Sequence, residues 1–448
     1  MLPNSGAGTG APAPRPGHAS LTRRRLLAAA PAAMLATAAA ACGTSGSSGR
    51  TAKSPKGKVT LTYGLWDLTQ LPAMKQIIAE FEKAHSNITI RTAVTPWDSY
   101  WTKLKTAATG GSAPDVFWMT IDSFKLYASG GVLLPLDDSI KRDGLDIGQY
   151  VPAVTNGYQW KGQQFGIPKD TNSFGLFYNK ELFAKASVAP PNPTWTWDDL
   201  VAAAVKLTDK GTGVHGIAAP LVDVQGYYLT IPQAGGFVIS PDGRSSGYDK
   251  PGSIKGLEFW TDLINKHHAS PTLQQLTDTD ALSMFTSGKV AMYYGGSWDP
   301  VAIAAVPYTK KNAEVAPLPK GPKDATFYAN GLANVVYAKT KYPEESWEFV
   351  KFLGSKVAAR IQAGTGTVIP AYRGEESAYA EAIPQFNLRA FIDQLPNART
   401  FPSSVQTSVW SDNALKAFAA SWSGQEPVAR TAGEVAAQMN SALAAEPR

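Results

Sequence analysis

Between Lys58 and Val94 the chain changes its hydrophobic period twice, and that change limits the fold more than any other feature. In KVTLTYGLW, Val59, Leu61, Tyr63 and Leu65 alternate with polar or small residues, the period-two pattern of a strand. In QLPAMKQIIAEFEKAHS, Met74, Ile77, Ile78, Phe81 and Ala84 fall on one helical face. ITIRTAV (88–94) then reads as a second strand. Strand, helix, strand in so short a span predicts a βαβ unit and a parallel sheet. The rhythm continues with a helix over 98–109 broken at Gly110-Gly111 and a buried strand over 116–119. A further helix runs from about Asp122 to the stop at Gly130-Gly131. Thr196-x-x-Asp199 is a capping box for a helix through Leu207. Ile254, Leu257, Trp260 and Ile264 keep helical spacing. Pro343 opens a helix that turns Trp347, Val350 and Leu353 inward. The pattern predicts an α/β protein in two lobes, with no repeat of solenoid length.

The first 57 residues have another character. Thr22-Arg23-Arg24-Arg25-Leu26-Leu27 precedes an alanine-rich apolar run to Ala41. A basic start, a short apolar run and small residues form a secretory signal, and the run is shorter than the roughly 20 residues of a membrane span. The arginines resemble a twin-arginine export signal, with the general secretory route as the alternative. Cys42 is the only cysteine of the chain, so it has no partner for an internal disulfide. Ala39-Ala40-Ala41-Cys42 resembles a bacterial lipobox, which implies cleavage and a lipid anchor on Cys42; the bland reading is an ordinary cleavage site. Gly43 to Gly49 is Gly/Ser/Thr-rich and reads as a tether, so 1–41 is assigned to the signal and 42–57 to the anchor and linker.

Removing the leader's four arginines, which face no acid, lowers the formal charge from +6 to +2. That balance gives no basic patch for nucleic acid. There is no Walker lysine loop and no glycine-flanked serine elbow. His267-His268 are adjacent and cannot both ligate one metal from one helix face, so neither metal nor cofactor is expected. Carboxylates are plentiful, but no local spacing singles out a pair for glycoside hydrolysis.

Several segments, taken in order, resemble one family. They are FEKAHSNITI (81–90), SAPDVFWM (112–119), GGVLLPLDD (130–138) and KGQQFGIPKDTNSFGLFYNKELF (161–183). PNPTWTWDDL (191–200), FTSGKVAMYYGGSW (285–298), PLPKGP (317–322) and PEESWEFVKFL (343–353) complete the series. The family is the extracellular solute-binding proteins of bacterial ABC importers, in the carbohydrate-binding branch typified by maltose-binding protein. The resemblance implies two discontinuous α/β lobes with solute bound in the cleft between them. Matching blocks puts crossings at Pro168–Ser173, near Ala329–Val335 and near Pro396–Pro402. One lobe would hold 58–168 and 336–395, the other 172–329 and 400–448.

A sugar presents hydroxyls to directional polar groups and C–H faces to aromatic rings, so its site needs acids and indoles at strand ends. Trp66 and Asp67 end the first strand and are expected at the cleft, with core packing as the rival reading of Trp66. Asp122 matches a sugar-binding carboxylate of the family and is also a candidate N-cap. Asp170 and Asn172 lie in the first crossing, and Asp223, Gln225 and Tyr228 precede Gly235-Gly236 in the second lobe. Trp298 is the leading candidate for a stacking platform; Trp410 and Arg373 complete the expected set. Asp115, Trp118, Trp195, Trp260 and Trp347 read as structural. Met119 stands where the maltose protein has a ring-stacking tryptophan, which leaves the sugar class open.

The resemblance thus implies a monomeric receptor tethered by lipid to the outer face of the cytoplasmic membrane. It would deliver a sugar to an ABC permease. The alternatives are a secreted carbohydrate-active enzyme, or a receptor for a non-sugar solute such as an opine, polyamine or phosphate ester.

Overall fold

The computed structural model describes residues 57–446; the signal, Cys42 and nearly all of the tether lie outside them. Five strands form the first sheet. They are β1 (Val59–Leu65), β2 (Ile88–Val94), β3 (Val116–Thr120), β4 (Gly166–Pro168) and, from much later in the chain, Leu332–Val336. β1 lies between β2 and β3 and is parallel to both, as the βαβ pattern predicts. The late strand inserts between β3 and β4 and runs antiparallel to each. The first lobe is therefore built from two distant parts of the sequence.

β5 (Asp170–Thr171) continues from β4 and leads to β6 (Phe174–Asn179). β6 is the centre of a second sheet, between β7 (Met292–Gly296) and β8 (Ala313–Ala316), and antiparallel to both. This lobe departs from the parallel arrangement of the first. β9 (Phe327–Ala329) precedes the late strand of the first sheet, here β10 (Leu332–Val336). β11 (Ile369–Pro370) pairs with β5, and β12 (Ala398–Thr400) runs parallel to β9. Each expected crossing therefore contains a short strand held by another crossing or by a segment beside it.

The helices form where the sequence dictates. Leu71–Ala84 buries Met74, Ile77, Ile78 and Phe81 against β1, while Ala84 is exposed because the helix ends there. Thr196 caps Trp197–Leu207 by accepting from the Asp199 backbone, and the Asp199 carboxylate accepts in return. Pro343 starts the helix Pro343–Leu353, which buries Trp347, Val350 and Leu353. Trp118 and Trp260 are fully buried, as their structural reading requires. Asp115 accepts from the Thr62 backbone and hydroxyl at 2.8 Å and from Thr340 Oγ1 at 2.6 Å, tying β1 to the chain after β10.

One core lies under the first sheet and includes Leu61, Ile77, Phe81, Trp118, Trp347 and Phe349. Another joins Phe177, Phe285, Tyr293 and Val315 of the second lobe to Tyr379, Phe386 and Phe391. Ser173 Oγ also donates to the Phe391 carbonyl at 2.7 Å. The sequence-derived boundary kept 336–395 together in the first lobe. Apolar residues after β11 instead join the second sheet's core, where they share the Phe177 face of β6 with Phe285 and Ile303.

Candidate functional site

The expected site residues divide by what their polar atoms already touch. Asp67 stands at the end of β1, but its carboxylate accepts from Thr69 N at 2.7 Å, Thr69 Oγ1 at 2.6 Å and Gln70 Nε2 at 2.8 Å. Gln70 Oε1 in turn accepts from Lys169 Nζ at 2.6 Å, and Lys169 Nζ pairs with Asp170 Oδ2 at 2.7 Å. The other Asp170 oxygen accepts from Leu332 N at 2.8 Å. Lys169 and Asp170 are buried, and the ammonium sits 4.4 Å from the centre of the Trp118 ring. Asp170 is thus corrected from a ligand contact to a lock: it holds the first crossing to the second. Gln70 and Lys169 were missed because neither residue type, read alone, signals a buried relay.

Asp122 and Asp223 have different surroundings. Asp122 lies in the first turn of the helix Ile121–Ser129, whose N-cap is Thr120, so the N-cap reading of Asp122 does not hold. Ser123 Oγ donates to Asp122 at 3.1 Å. Asp223 begins the π-helical turn Asp223–Tyr227, where Gly226 takes φ −125° and ψ −113°. Its oxygens accept from Val224 N at 2.7 Å and Ser411 Oγ at 2.8 Å. Both carboxyls are half-buried. Burial pushes both above the ordinary aspartate value, the charge of Asp223 adds to the shift at Asp122, and that of Asp412 adds at Asp223. Asp122 of the first lobe therefore senses the charge of Asp223 in the second, and both acids have hydroxyls and backbone N–H groups as partners. Such carboxylates keep acceptor capacity for a polyol's hydroxyls.

Two indoles join the half-buried members of the expected set. Trp66 is half-buried, with ring centroids 4.9 Å from Tyr100 and 5.0 Å from Trp118. Trp298 is half-buried and meets Phe174 edge-on at 5.7 Å. Its indole lies against Gly296, where a Cβ would come within 2.4 Å of the ring, so only glycine admits the tryptophan in this pose. Next to it, buried Asp299 accepts from Gly296 N at 2.9 Å, Tyr293 OH at 3.0 Å and Gln225 Nε2 at 3.1 Å. Asp299 therefore joins the Trp298 loop to the turn carrying Asp223 and Gln225. Burial pushes its carboxyl up to about 6, against the pull of those donors. Asn172, half-buried in the first crossing, uses its backbone N–H on the Asn330 carbonyl at 2.8 Å.

Three expected residues fall elsewhere. Tyr228 is fully buried among aromatic rings and its hydroxyl meets Tyr248 OH at 3.2 Å. Trp410 is also buried, with Nε1 donating to Ser404 Oγ at 2.9 Å. An enclosed ring has no face left for a ligand, so both are corrected to core. The helix Thr407–Trp422 reaches the site through Ser411, one position on from Trp410. Arg373 is exposed, and its guanidinium and backbone N–H bind the Gly148 and Gln149 carbonyls, which makes it a surface tie.

Residues 66–360 match the family described as bacterial extracellular solute-binding protein. The maltotriose-binding protein of Pyrococcus abyssi is 29% identical over 256 residues, 56% of this chain and 52% of that protein. An ABC substrate-binding protein of Listeria monocytogenes, solved in complex with cycloalternan, superposes with a TM-score of 0.81 at 24% identity, covering 87% of this chain and 100% of that one. A solute-binding protein of Thermotoga lettingae bound with alpha-D-tagatose gives 0.76 at 25% identity, covering 86% and 100%. The two-lobed fold, its crossing strands and a family match through most of the described chain agree: this protein belongs to the bacterial extracellular solute-binding protein family, as a binding protein that works outside the cytoplasm.

Proposed function

We propose that the protein is a receptor of an ABC importer that holds a sugar or oligosaccharide between its lobes and hands it to a membrane permease. The observation that carries this reading is that Asp122 feels the charge of Asp223 from the other lobe, while half-buried Trp298 sits on the loop that Asp299 ties to the turn carrying Asp223; half-buried Trp66 follows β1 in the first lobe. Acids grip hydroxyls, while indoles cover the apolar sugar faces. A ligand touching both lobes stabilises the closed arrangement only through contacts absent when the lobes part. Asn172 and Gln225 supply amide groups, and Asp299 positions Gln225. Relatives that bind maltotriose and arabino-oligosaccharides support the ligand class.

Cys42 is the proposed lipid anchor, so Cys42→Ala is expected to move the protein from the membrane fraction to the medium. The ligand test is calorimetric titration with mono- to tetrasaccharides, with product analysis on the same samples. One-to-one binding without new reducing ends is expected. Failure of every sugar to bind overturns the proposal.

A second reading draws on the same acids. A glycoside hydrolase pairs one protonated carboxyl with one ionised carboxylate, and the raised proton affinity of Asp122 would suit it to the first role, with Asp223 needed as the second. Release of shorter sugars, abolished by Asp122→Asn, would establish that reading instead.

A further inference from the structure

The described residues expose few large apolar side chains, and two of them adjoin Trp66, Leu68 in the sequence and Trp97 in space. Leu68 is 66% exposed and follows Trp66-Asp67 at the end of β1. Trp97 is 48% exposed and opens the helix Trp97–Thr109. The chain between them is fixed, since Thr95 N donates to the Leu65 carbonyl at 2.9 Å. Trp97 lies 5.2 Å from Trp66 and 5.9 Å from Trp101, at interplanar angles of 69° and 86°. Tyr100 supports the group from below, 4.9 Å from Trp66, with its hydroxyl on the Trp118 carbonyl at 2.8 Å. The spacing Trp97, Tyr100, Trp101 puts three rings on one side of a helix.

Leaving an indole half in water has a cost, since burying it would stabilise the fold. Neither ring contact of Trp97 is a parallel stack, and about half of the side chain stays exposed to solvent. The exposed area is also small: two side chains are far from the roughly 800 Å² per partner of a stable protein interface. Its continuity with Trp66 points to the same ligand that Trp66 meets.

We infer that Trp97, backed by Trp66 and Trp101 and flanked by Leu68, is an outer stacking subsite for a sugar unit beyond those held between Asp122 and Asp223. The natural ligand is then an oligosaccharide, and the receptor measures its length. This rests on the sugar-receptor reading, and it adds a ranking by chain length that the reading alone does not require.

The test compares wild type, Trp97→Ala, Trp97→Phe and Trp298→Ala by calorimetry with gluco- and arabino-oligosaccharides of one to four units. Wild-type affinity is expected to rise with length within the preferred series. Trp97→Ala should remove that rise, on the order of ten-fold for the longest ligand, and leave the shortest unchanged. Trp97→Phe should restore part of it, and Trp298→Ala should weaken every length. A wild-type affinity indifferent to length overturns the outer subsite and spares the receptor. So does a Trp97→Ala protein with unaltered affinities, even where uptake in cells falls because a permease docks there. Equal weakening at all lengths also overturns it, by placing Trp97 in the inner site. Failure of the wild type to bind any of these sugars overturns the receptor reading and this inference together.

Discussion

Asp170 and the pair Asp122 and Asp223 are acids within one small region, and they occupy opposite electrostatic settings. Asp170 is buried with a lysine at 2.7 Å and a backbone N–H at 2.8 Å, so both oxygens are satisfied within the protein. Asp122 and Asp223 are half-buried and lean on serine hydroxyls; burial raises the proton affinity of both, with the charge of Asp223 adding at Asp122 and that of Asp412 adding at Asp223. The first arrangement stabilises a crossing. The second leaves acceptor capacity and electrostatic stress that a ligand's hydroxyl groups can relieve. An acid in a cleft is thus informative only when its internal partners have been counted.

Asp170→Ala is the strongest challenge to this contrast. It leaves the buried Lys169 ammonium without its counter-charge and the Leu332 N–H without an acceptor. A loss of about 3–5 kcal/mol in urea unfolding is expected. A loss below about 1 kcal/mol would put Asp170 in the same class as the other two acids.

Trp298→Ala comes next. Removing the platform should weaken sugar binding by about 2 kcal/mol, roughly thirty-fold, read by calorimetry. Gly296→Ala should mimic part of that loss, since a methyl group there displaces the indole without deleting it. Unchanged affinity in both variants would remove Trp298 from the site.

Asp122→Asn and Asp223→Asn should behave opposite to Asp170→Ala. Each is expected to cost about 1–2 kcal/mol of sugar affinity, yet leave the unliganded protein as stable or more stable at neutral pH. The sign follows from the raised folded-state values. The folded state then holds its proton more tightly than the unfolded chain. Stability from that preference is fully present below the unfolded value and is lost as pH rises through the folded one. The amide variants should flatten this slope in a series of thermal melts against pH.

Asp299 gives the most local effect, confined to one pH interval. With its carboxyl pushed up to about 6 from 3.8, stability should fall as pH rises between those values. Asp299→Asn should remove that step. An unchanged slope would place the titration elsewhere.

The fold was largely legible in the sequence. Alternation in β1, the helical face of Met74, Ile77 and Phe81, the Thr196/Asp199 box and Pro343 at a first turn are local signals with local causes. The site was legible as a neighbourhood. Trp410 and Ser411 show the limit: they are adjacent, and a helical rotation of one residue decides which enters the core and which reaches Asp223. Trp97 shows the converse, because no sequence pattern states that its ring is left in water beside Trp66.

By itself the sequence determined the α/β rhythm, the turns and caps, the order of family motifs and the supply of acids and indoles. These depend on interactions between residues a few positions apart, or on patterns that repeat along the chain. Only the tertiary structure decided which acid met Lys169, which indole stayed exposed, and that the chain after β11 joins the second lobe's core. Those outcomes depend on which distant side chains share a volume, and charge pairing and burial are properties of that volume rather than of any one residue.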